Sequence, residues 1–167
     1  MQRISRRDAL KLLGAAMGVA TVLPLPASAR TRAQNALGES YRTFTPSEAE
    51  TVKAIVSRLF PADKNRPGAL KAGVDRYIDR ALSGALKSSR SAYTTGLAAV
   101  NAQAQSLRSV AFSRLSPVDQ DAVLSTTKRS NAAFFKLIRA HTIQGILSDI
   151  ARRTAEHVAK NWKNIAG

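Results

Sequence analysis

From Thr45 onward, apolar positions recur with the period of an α-helix, and proline or glycine breaks that period at intervals. Thr45-Pro46-Ser47-Glu48 opens the first such segment. Thr45 is placed to cap it, Pro46 sits at the first helical position, and Glu48 closes a capping box. Val52, Ile55, Val56, Leu59 and Phe60 follow at i, i+3, i+4, i+7 and i+8, one apolar face of a helix that Pro61 ends. The stretch from Pro61 to Gly73 reads as a loop, because Pro61, Pro67 and Gly68 punctuate it. Val74, Tyr77, Ile78, Ala81 and Leu82 predict a second helix. A third is predicted from about Ser89 to Val110, with Tyr93, Leu97, Val100, Ala104 and Leu107 on one face. Ser116-Pro117-Val118-Asp119 repeats the start signal for a fourth helix reaching about Lys128. The fifth carries Phe134, Phe135, Ile138, His141, Thr142, Ile146 and Leu147, and its pattern predicts an end near Asp149. Phe134 and Phe135 are adjacent, so they point about 100° apart, which gives this helix a broad apolar face and a central place. No run of β-branched residues alternates with period two, and no internal repeat is visible. The expected fold class is all-α, a helical bundle of about five helices over residues 44–167.

The N-terminal segment follows a different rule. Arg6 and Arg7 are followed by Leu10 and Lys11, then by the apolar run from Leu12 to Leu23, then by Ala27-Ser28-Ala29. A charged start, a short apolar stretch and a small-x-small site, in that order, read as a signal peptide over residues 1–29. The arginine pair points to the twin-arginine route. The run is too short for a comfortable membrane span, which takes about 20 apolar residues. Gly14, Gly18, Pro24 and Pro26, with no polar face, argue against an ordinary amphipathic helix. Cleavage is expected between Ala29 and Arg30, and residues 30–43 read as a flexible linker. The twin-arginine machinery carries folded cargo, typically loaded with a cofactor or bound to a partner that is. The expected location is the periplasm.

Composition narrows the chemistry. Hydrophobic residues make up 44% of the chain, enough for a packed core. The leader holds Arg3, Arg6, Arg7 and Lys11 against Asp8, a net +3 that leaves +12 of the chain's +15 on the remainder. Such a charge suits an anionic partner. The chain has no cysteine, which excludes thiol catalysis, cysteine-ligated iron–sulfur clusters and covalent c-type haem on it. Only His141 and His157 are available as imidazole ligands, far apart along the helical pattern, so no zinc site is expected. There is no nucleotide-binding glycine fingerprint, no Ser-His-acid arrangement and no paired carboxylates in a plausible pocket. His141 lies at i+3 from Ile138 and i+7 from Phe134, so it reads as a hydrogen-bonded core histidine rather than a general base. Asp63 reads as a turn aspartate. Arg152, Arg153, Lys160 and Lys163 read as a solvated helical face. Nucleic-acid binding is not expected, because Trp162 alone is no stacking platform. Trp162 suits closing the core and anchoring an interface equally well.

These blocks, taken in order, resemble a known family, the gluconate 2-dehydrogenase subunit 3 proteins. The resemblance rests on the twin-arginine leader and on Phe44-Thr45-Pro46-Ser47-Glu48 running to Leu59-Phe60-Pro61-Ala62-Asp63. Pro67-Gly68-Ala69, Ala72-Gly73-Val74 and Tyr77-Ile78-Asp79 add to it, as do Phe134-Phe135 through Arg139-Ala140-His141-Thr142-Ile143-Gln144-Gly145 and Ser148-Asp149. After Asp149 the family's Pro-containing, Gly-Gly-Asn-like loop is replaced by Ile150 to Val158, which reads as continued helix or a basic turn, and only Trp162-Lys163, Ile165 and Gly167 match its ending. The resemblance implies a non-catalytic small subunit carrying no cofactor. Its partner would be an FAD-dependent dehydrogenase of the glucose–methanol–choline type, without its own export signal. A cytochrome c subunit carrying haem would take the electrons, and the twin-arginine translocase would carry the complex. The resemblance also marks Phe60, Pro61, Asp63, Phe134, Phe135, Arg139, His141, Gly145, Asp149 and Trp162 as candidate partner-binding or family-motif residues. A rival expectation, from charge alone, is a stand-alone basic helical protein of the periplasm that binds anionic envelope components. A third is an enzyme acting through His141.

Overall fold

A computed structural model describes residues 41–166, with side chains up to Trp162. The leader residues Arg6, Arg7, Leu10, Lys11, Ala27 and Ala29 lie outside the described residues. Five α-helices form a bundle: α1 (Pro46–Leu59), α2 (Val74–Leu82), α3 (Arg90–Arg108), α4 (Pro117–Ser130) and α5 (Ala132–Ala166). Single 3-10 turns, Lys87–Ser89 and Phe112–Arg114, precede α3 and α4, and no strand occurs among the described residues. The all-α bundle expected from the periodicity is the observed fold.

The start signals act as their chemistry predicts. Thr45 caps α1, accepting from the Glu48 backbone N–H at 3.3 Å, while the Glu48 carboxylate accepts from the Thr45 N–H at 2.8 Å. Ser116 accepts from the Asp119 N–H at 3.2 Å and starts α4. Asn131 separates α4 from α5, and its side-chain oxygen accepts from the Phe134 N–H at 3.2 Å. One residue thereby ends one helix and caps the next.

The core is built where these helices meet. Val52, Ile55 and Val56 of α1 face Ile78 and Leu82 of α2, Tyr93, Leu97 and Val100 of α3, and Phe134 and Ile138 of α5 in one buried cluster. Tyr93 is its hub. Its ring meets Phe44 at 5.8 Å, stands edge-on to Phe134 at 5.8 Å, and lies nearly parallel to His141 at 5.8 Å with the planes 7° apart. Such contacts add about 0.5–1.5 kcal/mol each beyond their buried area. Phe134 comes so close to α3 that a Cβ on Gly96 would stand 2.2 Å from its ring, so only glycine fits there. Polar groups inside are matched: Asn101 donates to Thr51 at 2.9 Å and accepts from the Phe112 N–H at 3.0 Å. Among the described residues no buried side-chain nitrogen or oxygen lacks a partner.

The structure departs from the sequence expectations in three places. Residues Tyr41 to Thr43, expected at the end of a linker, are tied to the bundle. The buried Asp79 carboxylate accepts from the backbone N–H groups of Arg42, Thr43 and Phe44 at 2.7, 2.8 and 2.9 Å. Tyr41 donates its hydroxyl to Asp75. Leu107 and Leu147, assigned to core faces, are 42% and 59% exposed. Finally, α5 does not end near Asp149 but runs 35 residues to Ala166. No glycine or proline follows Gly145 until Gly167, and Ala151, Ala155 and Ala159 favour the helix. Asp149 pairs with Arg152 at 2.6 Å and Arg153 at 2.7 Å, and Arg152 pairs with Glu156 at 2.6 Å. Asp149 before Arg153 is the order that also suits the helix dipole, worth about 0.3–0.5 kcal/mol.

Two predictions follow from this packing. Asp79→Ala strands three backbone donors and should cost about 2–4 kcal/mol. Urea denaturation checks it, and unchanged stability would show the carboxylate to be dispensable. His141 accepts or donates one hydrogen bond with the Tyr93 hydroxyl at 3.1 Å, and burial holds its pKa below the ordinary 6.5. Below pH 6.5 the unfolded chain therefore takes up a proton that the folded chain resists. Stability should fall as pH drops from 6.5 toward the folded pKa, and His141→Asn should flatten that slope in denaturation curves taken across the window.

Candidate partner-binding surface

A helix as long as α5 can show two faces to two different surroundings. Phe134, Ile138, His141, Thr142, Gly145 and Asp149 are buried and recur at three- and four-residue spacing. Gly145 lets α2 approach, since a Cβ there would meet Tyr77 and Val74 at 3.1 Å. Leu147 follows Ile138 by about two and a half turns and so lies on the opposite side. From it a second stripe runs along the helix: Ile143, Leu147, Ile150, Val158 and Trp162. Leu147, Ile150, Val158 and Trp162 are 59%, 54%, 58% and 71% exposed. Between Ile143 and Trp162 the stripe extends about 28 Å. Scattered exposed leucines are ordinary, whereas an aligned set of this length makes a candidate surface for another molecule.

The loop after α1 turns part of this stripe into a groove. Leu59, Phe60, Pro61, Pro67, Ile143, Ile146, Leu147 and Ile150 line a cleft of about 540 Å³ with Asp63 and Arg66 at its edge. The loop holds its shape through Asp63, whose carboxylate accepts from the N–H groups of Asn65 and Arg66 at 2.8 Å each. It also takes the Arg66 guanidinium at 2.8 and 3.0 Å. The Asn65 N–H first, and then Arg66, keep this carboxyl below the usual carboxylate range. The Ala69 N–H donates to the Phe60 carbonyl at 2.9 Å and closes the loop. Asp63 thus works as a turn aspartate that shapes one wall of the groove.

A second cleft of about 540 Å³ lies toward the start of α5, lined by Leu59, Ala132 and Phe135 together with Lys128, Lys136 and Arg139. Beyond Asp149 every described side chain of α5 from Ile150 to Trp162 is exposed. Arg152 and Arg153 turn back onto Asp149 there, and Asn161 bonds to His157 at 3.0 Å. Among the described residues no group of three or more His, Cys, Asp or Glu side chains could hold a metal ion, and no helix is long and apolar enough to cross a membrane.

The family-motif residues therefore divide by role. Phe134, His141 and Gly145 face the bundle, where they dock α5, and the buried Asp149 pairs with Arg152 and Arg153 of the same helix. Phe60, Pro61 and Asp63 form the groove wall, and Phe135 and Arg139 border the second cleft. Trp162 stands in solvent and does not close the core. His141 lies beside Tyr93, whose hydroxyl burial pushes well above its ordinary pKa, and the two form a structural pair. The residues that sequence reasoning missed are Ile143, Leu147, Ile150 and Val158 as an outward stripe. Ile143 and Leu147 precede Asp149, and past it Ile150, Val158 and Trp162 keep roughly the same side of the helix, with the polar Thr154 between Ile150 and Val158.

The sequence matches the family described as gluconate 2-dehydrogenase subunit 3 over residues 46–167. Comparisons with curated proteins and with solved structures gave no significant match. The match begins at the first residue of α1 and takes in every helix, the groove loop and the outward stripe of α5. The chain belongs to the gluconate 2-dehydrogenase subunit 3 family.

Proposed function

We propose that this chain is the non-catalytic small subunit of a flavin-dependent sugar or sugar-acid dehydrogenase, and that it binds the catalytic flavoprotein through the outward stripe of α5. FAD would sit on that partner, of the glucose–methanol–choline type, and haem on a cytochrome c subunit that takes the electrons. The observation that carries this reading is the exposed line of Leu147, Ile150, Val158 and Trp162, beside a groove built from the family's own Phe60-Pro61 turn. An aligned apolar face ending in tryptophan is what an interface core uses. Family membership supports the class of partner. The Arg6-Arg7 leader supports joint export of the folded pair to the periplasm by the twin-arginine route. The rival reading, a basic protein that binds anionic envelope polymers, leaves this apolar stripe without a use.

The test is co-purification. The tagged chain, isolated from the periplasmic fraction of its native host, should bring down a yellow complex whose large chain has no leader of its own. Leu147→Asp combined with Ile150→Asp should lower the recovered flavin by about tenfold or more while the helical spectrum stays unchanged. A colourless monomer at native expression would refute the subunit reading.

A further inference from the structure

The cleft at the start of α5 has a feature that the outward stripe lacks. Arg58, Arg66, Arg90, Arg108, Arg152 and Arg153 each pair with a carboxylate of the chain. Lys128, Lys136 and Arg139 line one cleft together with Leu59, Ala132 and Phe135 and pair with no carboxylate among the described residues. Helix starts favour acidic residues, yet the first turn of α5 has none, and Lys136 is the first charged residue of the helix. The three side chains are exposed and bring three positive charges to one cleft, which favours an anionic occupant.

We infer that this cleft takes an acidic segment of the partner protein, with an apolar side chain seated on Leu59, Ala132 and Phe135 and carboxylates meeting Lys128, Lys136 and Arg139. This rests on the subunit reading and adds the chemistry of the partner's docking segment. The volume of about 540 Å³ lies in the range of clefts that hold small ligands or anchoring side chains. Charge decides among occupants. The chain's own residues 1–40 hold six basic residues against two acidic ones, so that segment would be repelled. A second copy would bring another basic face, since the chain carries +15. A membrane-bound face carries its apolar side chains outermost, below the level of the lysines. Here Leu59, Ala132 and Phe135 line a concave cleft, which suits a protruding side chain instead. The cleft and the groove share Leu59, so one partner surface can cover both.

The experiment compares three full-length chains for binding to the purified flavoprotein by interferometry at low and high salt. They are the wild type, a Lys128→Glu/Lys136→Glu/Arg139→Glu variant, and a control that reverses Lys71, Arg80 and Lys87 to glutamate. The reversed positions are exposed in both variants, and thermal melts verify their folding. The cleft variant should bind about tenfold or more weakly and lose the salt dependence of the wild type, while the control stays within about twofold. Phe135→Ala should also weaken binding, by about fivefold or more, with the salt dependence kept. A cleft variant that binds like the wild type would overturn the inference and leave the subunit reading standing. A wild type that captures no flavoprotein overturns both. Phosphatidylglycerol vesicles form the last arm: if the cleft variant loses vesicles but keeps the flavoprotein, the site belongs to lipid and the inference fails.

Discussion

The rotation of α5 about its own axis is the constraint on which the rest of the structure depends. Phe134 lies on Gly96, where a Cβ would stand 2.2 Å from its ring, and His141 lies flat beside Tyr93 with a 3.1 Å hydrogen bond. Gly145 admits Tyr77 and Val74 one turn further on. These three contacts recur along one side of the helix and leave it a single rotational setting. With that setting fixed, Ile143, Leu147 and Ile150 must face outward, beside the loop that begins at Phe60. The proposed docking face is thus a consequence of core packing and needs no separate device to aim it.

Most of the bundle was legible because its signals are local. The capping box at Thr45, the Ser116 cap and the three-and-four spacing of Val52, Ile55 and Val56 act within a few residues, and the structure repeats them. What could not be read depends on contacts distant in sequence. Asp79 was marked only as part of the Tyr77-Ile78-Asp79 block of the resemblance, yet its carboxylate gathers three N–H groups some 35 to 37 residues earlier. No periodicity encodes such a clamp. The end of α5 was placed near Asp149 because the inward apolar pattern stops there, yet no glycine or proline ends the helix before Gly167. The candidate surface was legible only in part. Phe60, Pro61 and Arg139 were marked by resemblance, but the division of α5 into inward and outward residues needed the bundle around it.

Charge and apolar surface take complementary parts in the proposed assembly. The exposed stripe supplies contact area, the term that holds an interface together once water is expelled. The unpaired cations beside Phe135 supply register and discrimination, since a wrong partner would meet them without carboxylates. In that proposal the histidine and tyrosine serve as core partners, and the exposed apolar residues of α5 are what the chain offers to the flavoprotein. Within the complex proposed, the chemistry of the sugar would belong to the flavoprotein.

Hydrogen–deuterium exchange on the purified complex tests the central claim most directly. Backbone amides from Ile143 to Trp162 lie on a helix whose far end is fully exposed in the free chain, and exchange there should be fast. The account predicts strong slowing over this stretch and over the Phe60–Pro67 loop when the flavoprotein binds, with the Tyr93 side of α3 unchanged. Protection confined to other helices, with the end of α5 exchanging as fast in the complex as alone, would contradict it.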